Sequence, residues 1–255
     1  MGMPSDNWSP PHINPVIDEI YETKKCVDLE GNVVDPFTAS IPATHGMVLY
    51  NSIVETKARK TLETGMAYGM STLFMCQALK DNGGGEHVAI DPEERTTWKS
   101  IGILNVEKAG FQNMVRLYEA PSYQILPQLL SAGEKFDLAF IDGLHLFDAV
   151  LIDFFYLDKL LDIGGRIVVH DTFLPSVRKA LAFILRNTSY RPVDKDNGER
   201  APFWRWSGLM LRNLREAPFD IYASAFLRRP YFKPNIFVIE KTAEDDRVWD
   251  HYVSF

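Results

Sequence analysis

The sequence predicts an α/β protein built on a parallel sheet with helices on both faces. Between Lys60 and Asp171, short β-type runs alternate with helical stretches, and turn residues mark the joints. That alternation calls for right-handed crossovers between parallel strands. The chain has 255 residues, 46% hydrophobic and 24% charged, which suits one large domain whose core needs no disulfide to fold.

The elements follow in order. Asn14 before Pro15 reads as an N-cap with proline at the first helical position, and Val16, Ile17, Ile20 and Tyr21 form one apolar stripe. A second helix begins near Thr44 and carries Met47, Val48, Asn51 and Val54. Strands are expected at Lys60–Thr64, His87–Ile90, Met114–Tyr118, Phe136–Ile141 and Arg166–Val169. Helices are expected between them at Ser71–Leu79, Glu93–Ala109, Tyr123–Leu130 and Phe147–Leu161. Asp81-Asn82-Gly83-Gly84-Gly85 and Asp162-Ile163-Gly164-Gly165 are the turn signals before the second and fifth strands. A helix at Val177–Arg186 and strands at Tyr190–Val193 and Ile236–Glu240 complete the chain.

Composition excludes several classes. The net charge of −7 argues against a general nucleic-acid binder. Cys26 and Cys76 each sit in a helical pattern and form no CxxC pair, which argues against a disulfide scaffold or a cysteine-rich zinc site. No apolar run approaches 18 residues, the longest being cut by Asp153 or Asp162. Met1 to Pro10 is polar and lacks a signal peptide's apolar core, so the chain is expected in the cytoplasm.

The strongest local signal is Glu63-Thr64-Gly65-Met66-Ala67-Tyr68-Gly69-Met70-Ser71, which leaves a strand and enters a helix. Backbone N–H groups are unpaired at such a junction, and the helix dipole is positive there. Ala67 replaces the second glycine of the dinucleotide fingerprint, and Glu63 would repel a diphosphate. Glu63 suits the ammonium of an amino-acid ligand instead. Asp91 stands 26 residues after Gly65, at the end of the second strand, where a carboxylate can accept both hydroxyls of a ribose. Its plainer role is to cap the segment that follows. An amino-acid end, a ribose and an adenine together describe S-adenosylmethionine.

The stretch Leu62 to Thr172 resembles the class I methyltransferases, and among them the small-molecule O-methyltransferases related to catechol and caffeoyl-coenzyme A O-methyltransferase. The matching blocks are Leu62-Glu63-Thr64-Gly65 with Gly69-Met70-Ser71, Ala89-Ile90-Asp91, Ala120-Pro121-Ser122-Tyr123, Phe136 to Gly143, and Gly164-Gly165 with Asp171. The resemblance implies a Rossmann-like fold with a seven-stranded, mostly parallel sheet and an insertion before the last strand. Residues 1–58 would be an N-terminal helical cap and 59–255 the methyltransferase domain, in one structural domain overall. It implies that Glu63, Gly65 and Ser71 surround the methionine end of the cofactor, with Thr64, Met66, Tyr68, Gly69 and Asp142 also binding it. Asp91 would take the ribose, and Ser122 and Tyr123 would lie beside the adenine. Thr44 and His45 would border the substrate.

Asp142 and Asp171 end neighbouring strands, and two such carboxylates must share a cation, share a proton or point apart. In the catechol-type relatives the pair holds a divalent metal such as Mg2+, together with an Asn where this chain has Thr172. Alternatively Asp171 binds substrate or caps Thr172-Phe173 without a metal. His145 takes the place of those relatives' lysine and would accept the substrate proton, a task imidazole suits near neutral pH. The catalytic set implied is therefore His145, Asp142 and Asp171. Strand alternation turns His170 away from Asp171, as a packing or supporting residue.

Residues 200–234 hold eight aromatics, and seven basic residues stand against Glu216 and Asp220, a local charge of +5. Trp204, Arg205 and Trp206 would contact an anionic or aromatic acceptor if this segment is a lid; the alternative is a homodimer contact. The reading is an O-methyltransferase acting on a phenolic, sugar-like or natural-product hydroxyl. An N-methyltransferase on the same fold and a non-catalytic cofactor-binding module are the alternatives.

Overall fold

The computed structural model describes residues 13–193 and 235–255. Seven strands form one sheet in the order β5-β4-β3-β6-β7-β9-β8, and a separate two-stranded hairpin is made by β1 and β2. The chain divides into two compact units, Met1–Arg59 with Met66–Glu119, and Lys60–Gly65 with Ala120–Phe255.

In the first unit, α1 (Pro15–Thr23) begins as its sequence dictates. The Asn14 side chain accepts the Val16 N–H at 2.9 Å, and Val16, Ile17 and Ile20 are buried. Lys24 in the left-handed region ends the helix, so Cys26 opens the short strand β1 (Cys26–Val27), paired with β2 (Val33–Val34), rather than continuing a helix. Helix α2 (Ala43–Thr56) buries Ala43, Gly46, Leu49, Ser52 and Ile53. Of the residues expected on it, Asn51 and Val54 are exposed, and Leu49 and Ile53 set the buried stripe. Gly46 lets α2 approach α3 (Met70–Asp81), since a Cβ there would lie 2.3 Å from the Phe74 ring. Residues Met70 to Leu79 of α3 are all buried, and Asn14 Nδ2 donates to Gln77 Oε1 at 3.0 Å. Strands β4 (Glu86–Ile90) and β5 (Val115–Tyr118) pair in parallel.

The helix expected over Glu93–Ala109 is confined to α4 (Ile101–Lys108). Two side chains prevent the longer helix. Asp91 Oδ1 accepts the Glu93 N–H, and the buried Glu94 carboxylate accepts the Ile103 N–H. Lys99 and Ser100 then take positive φ, which no continuous helix allows.

In the second unit, β3 (Lys60–Thr64) and β6 (Phe136–Ile141) fall where the sequence put them and pair in parallel, Thr64 beside Ile141. Helices α5 (Ser122–Ser131) and α6 (Phe147–Leu160) come within a residue of expectation. Strand β7 (Leu161–His170) starts five residues early. Asp162-Ile163-Gly164-Gly165 is carried inside it as an irregularity, the register to β6 shifting between Phe136 and Leu138 with Gly164 at φ +90°. After α7 (Pro175–Asn187) come β8 (Tyr190–Pro192) and β9 (Ile236–Lys241), and β9 runs antiparallel to both β7 and β8. Phe136, Leu138, Phe140, Ile167, Val168, Val169 and Phe237 are among its core residues. Among the described residues, no helix is long and apolar enough to cross a membrane.

Candidate active site

The chemistry gathers where β6 and β7 end. Ile141 lies beside Val169 in the parallel register, so the next residues, Asp142 and His170, come side by side. His170 Nδ1 is 3.0 Å from Asp142 Oδ1 and 3.3 Å from Asp171 Oδ1. His145, three residues past Asp142, places Nε2 3.4 Å from Asp142 Oδ1 and 3.1 Å from Asp171 Oδ2. Ser176 of α7 donates its hydroxyl to the His145 carbonyl and pins the loop.

His170 therefore does not turn away. Period-2 alternation holds only within a strand, and β7 stops at His170. Asp171 follows at φ +51°, a left-handed conformation rare for a residue with a Cβ, and its carbonyl accepts the Leu174 N–H at 2.9 Å. That twist leaves both side chains within reach of Asp142. Counting back from the paired strand ends, Ile141 against Val169, is the signal by which the sequence shows this.

The four groups set one another's charge. Burial pushes the Asp142 carboxyl up, but the hydrogen bonds and charges of His145 and His170 outweigh it and hold it below its ordinary value. Its bond to Asp142 raises the His145 imidazole despite burial. Burial alone would lower His170, yet the Asp142 hydrogen bond and the two carboxylate charges carry it upward. Burial raises Asp171, with the Asp142 charge adding to it and the two histidines opposing.

Asp142, His170 and Asp171 each offer a donor atom, and these atoms all lie within 4.8 Å of one another. Two carboxylates and an imidazole are a chemically competent donor set for a divalent ion, so these residues fit a metal. Thr172, the expected third ligand, is buried at 2% exposure.

The cofactor candidates can be placed unit by unit. In the second unit, Glu63 and Thr64 are buried at the end of β3, and the Thr64 carbonyl accepts the Asp142 N–H at 3.0 Å. Gly65, at φ +88°, is obligatory: a Cβ would lie 2.3 Å from the Asp142 carbonyl oxygen. Asp153 of α6 is buried, and that burial raises its carboxyl, with the Ser122 and Thr64 side chains opposing. In sequence it was only a charge interrupting an apolar run. Tyr123 is 54% exposed and shares a surface groove of about 470 Å³ with Leu151, Ile152, Phe155 and Tyr156.

In the first unit, Met66, Tyr68 and Ser71 are buried, with the Tyr68 ring edge-on to Trp98. Gly69, at φ +77°, meets Gly102 of α4 so closely that a Cβ would lie 3.0 Å from its Cα. Asp91 Oδ2 accepts the Met66 and Ala67 N–H groups, both at 2.9 Å, and Oδ1 accepts that of Glu93 at 2.8 Å. Asp91 thus fixes the glycine loop and caps the next segment; a carboxylate has about four acceptor positions, so one remains for a ligand. Thr44 is exposed and His45 half-buried at the start of α2. Trp204, Arg205 and Trp206 lie outside the described residues.

Residues 62–172 match the family model described as a methyltransferase domain. This stretch belongs to that family. The methyltransferase domain is 33% identical over 88 residues to a catechol O-methyltransferase of Niastella koreensis, a match covering 34% of this chain and 38% of that protein. A caffeoyl-CoA O-methyltransferase of Populus kitakamiensis is 29% identical over 157 residues, 59% of each chain. The match thus spans 38% and 59% of the length of these curated relatives. In fold, the chain is similar to a Streptomyces achromogenes O-methyltransferase of tomaymycin synthesis solved with SAM. There the TM-score is 0.59 at 17% identity, covering 90% of this chain and 91% of that one.

Proposed function

We propose that the chain transfers a methyl group from S-adenosylmethionine to a hydroxyl of a small phenolic acceptor. The observation that carries this is the convergence of Asp142, His145, His170 and Asp171 at the ends of β6 and β7, beside the Gly65 turn. S-adenosylmethionine supplies an electrophilic methyl on a sulfonium, so the protein must orient the donor and free the acceptor oxygen of its proton. Glu63, Gly65, Ser71, Asp91, Ser122 and Tyr123 are the cofactor-holding residues in this reading. The Met66 and Ala67 amides tied to Asp91 keep the loop in shape before the ligand arrives.

His145 Nε2 takes the acceptor proton, and Asp142 and Asp171 stabilise the imidazolium that results. Asp142, His170 and Asp171 would hold a divalent ion, which when bound polarises the acceptor hydroxyl and lowers its pKa. Phenolic acceptors are favoured by the names of the catechol and caffeoyl-CoA relatives. Exposed Leu144, Leu146 and Phe173 supply apolar surface next to the cluster residues in sequence. The same reading puts the chain in the cytoplasm, which its two free buried thiols suit. It also makes the chain a homodimer.

The test is transfer of labelled methyl from S-adenosylmethionine to a panel of catechols, hydroxycinnamoyl compounds, aliphatic alcohols and amines. Label in a phenolic product is the expected result. Transfer to amines alone would replace the O-methyl reading with an N-methyl one. Cofactor binding with no transfer to any class would leave a binding module.

A further inference from the structure

We propose that the Asp142–His170–Asp171 cluster is a transition-metal site whose imidazole selects ions of the zinc and cobalt type over magnesium. The spacing of His170 from each carboxylate suits such an ion. With metal–ligand bonds of about 2.1 Å, neighbouring donors lie about 3.0 Å apart in an octahedron and about 3.4 Å apart in a tetrahedron. His170 Nδ1 stands 3.0 Å from Asp142 Oδ1 and 3.3 Å from Asp171 Oδ1. An ion could replace the shared protons with little movement of the side chains.

The donors are also built in. His170 is the last residue of β7, paired with Ile236 of β9, and its ring lies edge-on to Phe140 with 6.1 Å between centroids. Its side chain is 9% exposed. Asp142 is anchored through its own N–H to the Thr64 carbonyl. Asp171 carries a positive φ at a residue with a Cβ, a conformation that costs energy and persists where the surroundings enforce it. Strain adjoining a convergent donor set is a mark of a functional site.

Donor chemistry decides which ion. Magnesium dehydrates reluctantly and is bound through carboxylate oxygens and retained waters, whereas imidazole suits zinc, iron, nickel and copper. A set made only of Asp142, Asp171 and the Thr172 hydroxyl would be all oxygen. The structure adds the His170 nitrogen, 3.0 Å from Asp142 Oδ1 and 3.3 Å from Asp171 Oδ1. In use the ion rests on the methyltransferase reading above, because it would hold the acceptor oxygen, but its binding is measured without any methyl transfer.

The test uses the full chain stripped with a chelator. Zn2+, Co2+ and Mg2+ are titrated separately by calorimetry, and Co2+ also by its visible absorption. The expected result is at least tenfold tighter binding of Zn2+ and Co2+ than of Mg2+, with a visible cobalt band. His170→Asp should narrow that preference at least tenfold, and His170→Asn should shift the cobalt band, while Thr172→Val leaves all three affinities within twofold. If the His170 variants fail to fold, the wild-type preference order and cobalt spectrum still decide. Mg2+ binding as tight as Zn2+, absence of binding by any ion, or a cobalt spectrum without nitrogen ligation would each overturn the proposal. S-adenosylhomocysteine titrated into the same stripped protein reports on the methyltransferase reading separately, since it needs no ion to bind.

Discussion

The two ends of β7 each carry charged side chains, and they are built to opposite purposes. At the Leu161 end, Lys241 is wholly buried, and its ammonium has three donors for three acceptors. Nζ donates to the Asp158 carbonyl at 2.7 Å, the Leu161 carbonyl at 3.0 Å and Glu244 Oε2 at 2.7 Å. Nothing is left over for a ligand. At the His170 end, two carboxylates and two imidazoles converge within 3.0 to 3.4 Å and must share protons. Their pulls conflict: Asp142 is held low while Asp171 is pushed up. Burial does not distinguish a structural charge from a chemical one. What distinguishes them is whether the partners already present use up the hydrogen-bonding capacity.

Substitutions at the two ends should therefore separate activity from stability. Asp142→Asn or His145→Ala should lower turnover by about 10²–10⁴, the range for losing a general base or the group that supports it. Circular dichroism and the unfolding midpoint should stay near wild type. Wild-type turnover in either variant would remove that residue from the mechanism. Lys241→Met should do the reverse, leaving turnover per folded molecule unchanged. It strands two buried carbonyls, at a cost of about 2–3 kcal/mol, and for a chain of this length the midpoint should fall by roughly 5–10 °C. An unchanged midpoint would mean that the Lys241 network is not a structural tie.

A third buried acid, outside both clusters, calibrates the contrast. Burial lifts the Glu94 carboxyl from its ordinary 4.5 to about 8, with the Ile103 N–H opposing and the Asp91 charge adding. Between those values the folded chain holds a proton that the unfolded chain has lost, so this group's stabilisation is full below about pH 4.5 and fades as pH rises through 8. Glu94→Gln should flatten that part of the midpoint-versus-pH curve, and a parallel, undisplaced curve would show that Glu94 ionises normally.

Much of this was legible in the sequence. Lys60–Thr64 and Phe136–Ile141 are strands to the residue: the first runs straight into the glycine turn at Gly65, and the second is a short, mainly apolar run ending at Asp142-Gly143. Asp142 and Asp171 meet as their positions at strand ends implied, and His145 reaches both from the turn after Asp142. The misses have a common cause in contacts that no local pattern encodes. The long helix over Glu93–Ala109 is broken by the carboxylates of Asp91 and Glu94 bonding to backbone. His170 was turned the wrong way because alternation was carried one residue past the end of the strand, where Asp171 changes the backbone.

The central claim is that the chain binds an adenosyl sulfonium cofactor and not a dinucleotide. Thermal unfolding with S-adenosylhomocysteine or NAD, each alone, tests it most directly. A ligand present at 100 times its dissociation constant stabilises by about 2.7 kcal/mol, which here raises the midpoint by roughly 5–10 °C. The account predicts that rise with S-adenosylhomocysteine and none with NAD. A rise with NAD alone, or with neither, would contradict it.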